Sequence, residues 1–216
     1  MCFSATASLA AGAFLLGIGT MTLRMPRQRS ELPYAAIPLL FALQQFTEGV
    51  VWLSFDPGLK AINTGAAYLY SFFSHVLWPV YVPAAVWLLE QKPARRRYLA
   101  WTVATGAAVG LYLLYTLFAT GIVARPIGQH IEYDAPHLYI PVVMALYLAA
   151  TTGSLLLSSH RRVQLFGALG FAASVVAYLL YARWFISVWC FFAAVLSVVV
   201  CLQLAQSRRP LHPLRP

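Results

Sequence analysis

Residues 33–55 read PYAAIPLLFALQQFTEGVVWLSF. Within this stretch the only ionisable side chain of the Asp, Glu, Lys, Arg or His kind is Glu48. A helix needs about 20 mostly apolar residues to cross the hydrocarbon layer of a bilayer. The stretch is therefore a membrane span that carries a carboxyl group inside it. The rest of the chain agrees. Residues of the AVILMFWYC set make up 61% of the sequence and charged residues 10%, whereas soluble domains sit nearer ~45–50% and ~25%. So few charges cannot cover the surface of a water-soluble fold, and the excess apolar side chains need lipid as their solvent.

Working outward from residues 33–55, further windows of this kind occur at residues 3–23, 62–89, 98–121, 137–158, 163–181 and 184–206. The expected fold is an all-α, polytopic bundle of seven transmembrane helices in one domain, 1–216. Pro, Gly or charge marks most of the breaks, and Ala182–Arg183 is the weakest. Residues 122–136 form the one connection long enough to have a shape of its own. No 20–50-residue repeat and no soluble domain is present.

The formal charge of +9 invites a nucleic-acid reading, but its placement explains it otherwise. Arg24, Arg27, Arg29, Lys92, Arg95, Arg96, Arg97, Arg161, Arg162, Arg208, Arg209 and Arg215 fall on one side of the alternating spans, and Lys60, Arg125 and Arg183 on the other. The positive-inside rule then sets the N-terminus outside and the C-terminus in the cytoplasm. The arginines are topology anchors, Arg183 snorkels to headgroups, and no nucleic-acid partner is needed. No cleavable signal peptide is expected, because Arg24, Arg27 and Arg29 follow the first apolar stretch instead of preceding it. Three cysteines without CxxC spacing exclude a disulfide framework and a zinc ribbon.

Gly106 and Gly110 form a GxxxG, and Ser8 and Gly12 a looser small-xxx-small. Both read as helix-contact faces within the bundle, with a homo-oligomer interface as the alternative. Pro79 and Pro83 should kink the third span, and Pro38 the second. Trp52, Tyr98, Trp101, Tyr181 and Trp184 fall near span ends, as interfacial aromatic belts do.

An ionisable group at membrane depth is costly and so is a functional candidate. Glu48 and His75 qualify, on consecutive antiparallel spans and at similar depth. Gln44 lies one turn from Glu48, with Gln45 on the adjoining face. Ser71 and Tyr68 continue the stripe on the side of His75. If the two stripes face each other, they make one buried polar site opening outward, with Gln44 and Ser71 orienting Glu48 and His75. The alternative is an interhelical clamp, each hydrogen bond worth ~0.6–2 kcal/mol. The outer connection adds His130, Glu132, Tyr133, Asp134 and His137. Cys2 and Cys190 are on the same half. His, Glu, Asp and Cys are ligands for zinc and other divalent metals, so the candidate metal set is His75, Glu48, His137, His130 and Cys2. The connection could cover the site as a lid, or it could be a solvated loop. HxE alone has little specificity. Asp56, before Pro57-Gly58, reads as a cap or turn residue. Cys190 and Cys201 read as small core residues.

These residues lead to a site for a small ligand or metal ion in a receptor, sensor or carrier, with Glu48, His75, Gln44, Ser71, Tyr68 and His137 as its walls. Glu48 carries the anion or the proton, His75 is ligand or proton partner, and His137 stands at the entrance. Glu48 and His75 are the catalytic candidates if the site is an enzyme's. A scaffold or assembly subunit without ligand is the third reading. Seven spans with an outside N-terminus resemble rhodopsins, but only Lys60 and Lys92 are present and neither lies in the last span, so a retinal Schiff base is excluded. No Walker sequence, GxSxG or HExxH occurs. A bis-histidine haem site lacks a second histidine at the depth of His75.

Two resemblances accompany these residues. Ser71-xxx-His75 in a seven-span chain resembles the intramembrane zinc hydrolases of the alkaline ceramidase type. Those enzymes place HxxxH in their last span, where this chain has Ser187 and Cys190. Beside that resemblance stands the alternative function read from the residues themselves, a metal-dependent intramembrane hydrolase in which the same residues hold a metal and Glu48 acts as general base on its water. The opening Met-Cys-Phe-Ser-Ala-Thr-Ala-Ser, residues 43–52 around Glu48 and the His-Ile-Glu-Tyr loop together resemble an uncharacterised family of bacterial multipass membrane proteins. This second resemblance implies a bacterial cytoplasmic (inner) membrane location and no particular activity.

Overall fold

The computed structural model describes residues 4–134, 136–181 and 184–207. Cys2, Arg183, Arg208, Arg209 and Arg215 lie outside the described residues. The chain is all-α and 84% helical, with one two-stranded hairpin.

Helix α1 (Ala5–Leu23) starts on Ser4, whose hydroxyl accepts from the Ala7 N–H at 3.2 Å in the usual N-cap manner. The second span is split into α2 (Leu32–Ala35) and α3 (Ile37–Leu53). Pro38 sits in the first turn of α3, where a missing N–H costs least. Across the break, Thr22 Oγ1 of α1 donates to the Ala35 carbonyl at 2.7 Å. Pro38 thus restarts the helix at the point where a kink was expected. A methyl group built on Gly19 would lie 2.7 Å from the Leu39 nitrogen, and one on Gly12 would lie 3.0 Å from the Phe46 ring. The small residues of α1 let its backbone lie against α3.

The third span comprises α4 (Lys60–Ser71), a π-helical turn (Phe72–Leu77) and α5 (Trp78–Leu89). Pro79 explains the widening. In a regular helix its N–H would bond the His75 carbonyl, and its ring clashes with that group. The turn opens instead, and the Trp78 N–H reaches back to the Phe73 carbonyl, an i→i−5 bond. Pro83 likewise leaves the Pro79 carbonyl without its helical donor. That carbonyl meets α6 (Pro93–Thr120) at Gly106, where an added methyl group would sit 1.7 Å from its oxygen. Gly110, one turn on, lies against Val76 and Val80. The GxxxG face is therefore used inside the bundle.

Gly121, at φ 76°, ends α6 in a conformation that a side chain disfavours. The chain then forms the hairpin β1 (Ala124–Ile127) and β2 (His130–Tyr133), turning at Gly128 with φ 59°. A positive φ at the first of two turn residues is the mark of a type II′ turn. The fifth apolar window begins later than expected. Pro136–Tyr139 is a 3-10 turn, and α7 (Pro141–Leu148) starts with Pro141. A second π-turn (Ala149–Gly153) and α8 (Ser154–Leu157) follow. Then come α9 (Arg161–Tyr181), α10 (Phe185–Leu196) and α11 (Val198–Ser207).

Among the described residues six helical stretches are long and apolar enough to cross a membrane: Ala5–Leu23, Arg29–Leu53, Pro57–Leu89, Pro93–Thr120, Arg161–Leu180 and Ser187–Ala205. Pro141–Leu157 is apolar but shorter. Six of the seven expected windows thus form helices long enough to cross a membrane and the fifth forms a shorter apolar helix, because the 3-10 turn and Pro141 take four residues from its start. Large apolar side chains such as Trp101, Phe118 and Leu179 lie 72–75% exposed on the outside of the bundle. That is the surface of a multi-pass membrane protein facing lipid.

The arginine-rich end is fastened by Glu90. Its carboxylate accepts from the Lys92 N–H (2.9 Å), the Ser159 N–H (2.6 Å) and the Ser159 hydroxyl (2.8 Å). Arg95 adds bonds to the Leu157 and Ser158 carbonyls. Arg162 donates to the Leu202 carbonyl, and the Arg96 guanidinium lies 4.2 Å above the Trp87 ring.

Candidate functional site

Glu48 is fully buried. Ser187 of α10 donates to its Oε1 at 2.6 Å, and Ser8 of α1 reaches Oε2 at 3.4 Å. One turn along α3, the Gln44 side-chain oxygen accepts from the Trp78 indole at 2.7 Å. Cys190 is buried in the core beside the cavity that Trp78, Tyr147 and Trp189 also line, as a small core residue should be. Gln45 is also fully buried, and neither its amide oxygen nor its amide nitrogen has a partner.

A second group of polar contacts surrounds His75. The Tyr147 hydroxyl donates to the Ser74 carbonyl at 2.5 Å. This is the carbonyl that Trp78 bypasses when it bonds Phe73, so the π-turn frees an acceptor for a side chain of α7. His75 Nδ1 lies 2.8 Å from Ser74 Oγ and 3.1 Å from the Ser71 carbonyl. A carbonyl only accepts, so the hydrogen belongs on Nδ1 and the Nε2 lone pair is left open. Nε2 is buried without a partner. His75 borders a cavity of about 10 Å³ that Thr116, Thr120 and His137 also line. The Tyr112 hydroxyl lies 3.3 Å from His137 Nδ1.

Glu48 meets Ser187 and Ser8, whereas His75 meets Ser74 and the Ser71 carbonyl, so the two expected partners sit among different polar groups. Ser71 orients His75 with its backbone carbonyl instead of its hydroxyl, which is buried and unpartnered. Gln44 faces Trp78. Tyr68 stacks on Phe118 with its hydroxyl near Gly121, toward the cavity end of α6. His137 joins His75 at the cavity. His130 does not, since it stacks on Trp184 with ring centroids 4.6 Å apart. Burial there pushes His130 below its ordinary pKa. Asp56 accepts from the Gly58 N–H at 2.8 Å, as a turn residue should.

The hairpin lies over this end of the bundle. β1 contacts α4 and β2 contacts α10. Ile131 is fully buried, and the Tyr133 ring stacks on Tyr70 at 4.4 Å. Alternation along β2 turns Ile131 and Tyr133 inward and leaves His130 and Glu132 half-buried. Arg125 pairs across the strands with Glu132 and forms a 3.9 Å ion pair with Asp134.

On the other side of the polar groups the interior is apolar. A cavity of about 50 Å³ is walled by Phe41, Trp78, Phe166 and Trp189, with Tyr147 and Cys190 at its border. Among the described residues no three of His, Cys, Asp and Glu gather in a way that could hold a metal ion. Ser8, Ser187 and Tyr147 escape a reading of the sequence because one hydroxyl in an apolar span is ordinary. Their partners stand 40, 139 and 73 positions away.

No curated protein and no solved structure matches the chain. A family model described as a family of unknown function (DUF6629) matches residues 1–214. The chain therefore belongs to that family.

Proposed function

We propose that the protein is a membrane receptor or sensor whose buried polar groups, Glu48 and His75 among them, take a small polar ligand or ion from the hairpin side. In this reading Pro141–Leu157 is a seventh crossing, the N-terminus is outside, the arginine-rich end is cytoplasmic, and the membrane is the bacterial inner membrane. The twelve-to-three division of basic residues supports that orientation.

The Gln45 amide carries the proposal. It is fully buried one turn from Glu48, with both polar atoms unmet. A buried polar group left unsatisfied costs about 1–3 kcal/mol, so an occupant that meets it is stabilising. The apolar cavity beyond the polar groups favours a site open to one side over a carrier, which needs a polar path through. A metal-dependent hydrolase needs at least three protein ligands around an open coordination position, and the described residues bring no such set together.

The test is thermal stability of the full chain in lipid nanodiscs against a panel of Na+, K+, Ca2+, Zn2+ and protons. At least one member should raise the melting temperature of the wild type, and the rise should vanish in Glu48→Gln and Gln45→Leu. A panel that moves nothing, together with unchanged or higher stability of Glu48→Gln, would establish the clamp of a scaffold subunit instead.

A further inference from the structure

The cavity beside His75 identifies what reaches that side chain first. Its volume of about 10 Å³ is close to the ~10–15 Å³ that one water needs by this measure. Its walls supply what a water bonds to. His75 is 3% exposed and presents an unpartnered Nε2, an acceptor because Nδ1–H is engaged by Ser71. Thr116 and Thr120 spend their hydroxyl hydrogens on the Leu113 (3.0 Å) and Thr116 (2.8 Å) carbonyls, so their oxygens keep only lone pairs. His137 is half-buried and contacts the Tyr112 hydroxyl, and Tyr112 is 38% exposed. The cavity lies at Gly121, the end of the bundle that bears the hairpin.

We propose that one water fills this cavity and that, with His137, it forms a proton port leading from the hairpin side to His75. His75 then takes a proton as a second input to the sensor, beside the occupant that Glu48 and Gln45 take, an inference that rests on the receptor or sensor reading above. The step balances without any redox partner. The water gives one proton to Nε2 and receives one from the His137 side. His75 becomes an imidazolium that keeps Nδ1–H on the Ser71 carbonyl and gains Nε2–H on the water. The groups that face His75 are few. Thr116 and Thr120 come from α6, His137 from the 3-10 turn, Tyr147 through Ser74 from α7, and Ser71 and Ser74 from its own span. The added charge strengthens the bonds to Ser71 and Ser74. The Ser74 carbonyl also takes the Tyr147 hydroxyl, so protonation is felt on α7.

The full chain labelled with 15N-imidazole histidine, in nanodiscs, tests this by nitrogen NMR, with His75→Gln identifying the signal. The wild type should show the neutral Nδ1–H tautomer at about pH 8 and convert reversibly to imidazolium as the pH is lowered to about 3. Thr120→Leu, which fills the cavity, should abolish the conversion or shift its midpoint to lower pH. His137→Gln, which leaves the cavity in place, should do so in part and serves if Thr120→Leu does not fold. A His75 signal that stays neutral throughout, or one that converts identically in both variants, would overturn the port. The Glu48-dependent stabilisation by other panel members would survive that result, so the two readings fail separately.

Discussion

Glu90 shows how one carboxylate can fasten two connections. Burial pushes its carboxyl up. Bonds from the Lys92 N–H and from the Ser159 N–H and hydroxyl, with the charge of His160, outweigh this and hold it below its ordinary value of 4.5. A carboxyl lowered in the folded state stabilises the fold above the unfolded value, and that contribution is lost as pH falls through the folded one. Thermal midpoints of the wild type and Glu90→Gln should therefore differ at neutral pH and converge as pH drops below about 4. A constant gap across pH would show that the carboxylate charge contributes nothing. Glu48 and His75 were legible in the sequence because an ionisable group in an apolar span stands out. Their partners were not, because helix rotation decides which of many Ser residues meets them. Ser187 is the clearest case. Near the start of an apolar helix its hydroxyl is ordinary, and only the approach of α3 brings it to Glu48.

At the scale of elements, proline and glycine shape the site. Pro79 widens the helix ahead of it and so frees the carbonyl that Tyr147 takes. Pro83 frees the Pro79 carbonyl that Gly106 accommodates. Gly106→Ala places a methyl group 1.7 Å from that oxygen, so α5 and α6 must move apart. Overpacking of this kind costs about 1–3 kcal/mol or more, which should appear as a large fall in melting temperature in detergent. Gly65→Ala, with nothing within 4 Å, should be near neutral, and equal losses for the two would contradict the close contact. The hairpin makes a second prediction. Tyr133→Ala removes the stack on Tyr70, so maleimide should label Cys190, 3% exposed in the wild type, faster in the variant. Equal rates would show that the hairpin does not cover Cys190. The sequence announced the kink at Pro79 and a connection with a shape of its own. It did not announce a π-turn or a type II′ hairpin, because both depend on which carbonyls find other donors.

For the whole molecule, composition decided the class. The apolar excess required a membrane, and six full-length helices with a short one follow from it. What composition leaves open is whether the buried polar groups are a clamp or a responsive site. Infrared difference spectra of the full chain in lipid test this most directly, because the carbonyl stretch of a carboxyl group reports its protonation and bonding. Spectra taken across the cation panel and between high and low pH should contain a carboxyl band that vanishes in Glu48→Gln and is altered in His75→Gln. Spectra without any Glu48-dependent band under every condition would contradict the sensor account and leave Glu48 as a silent interhelical clamp.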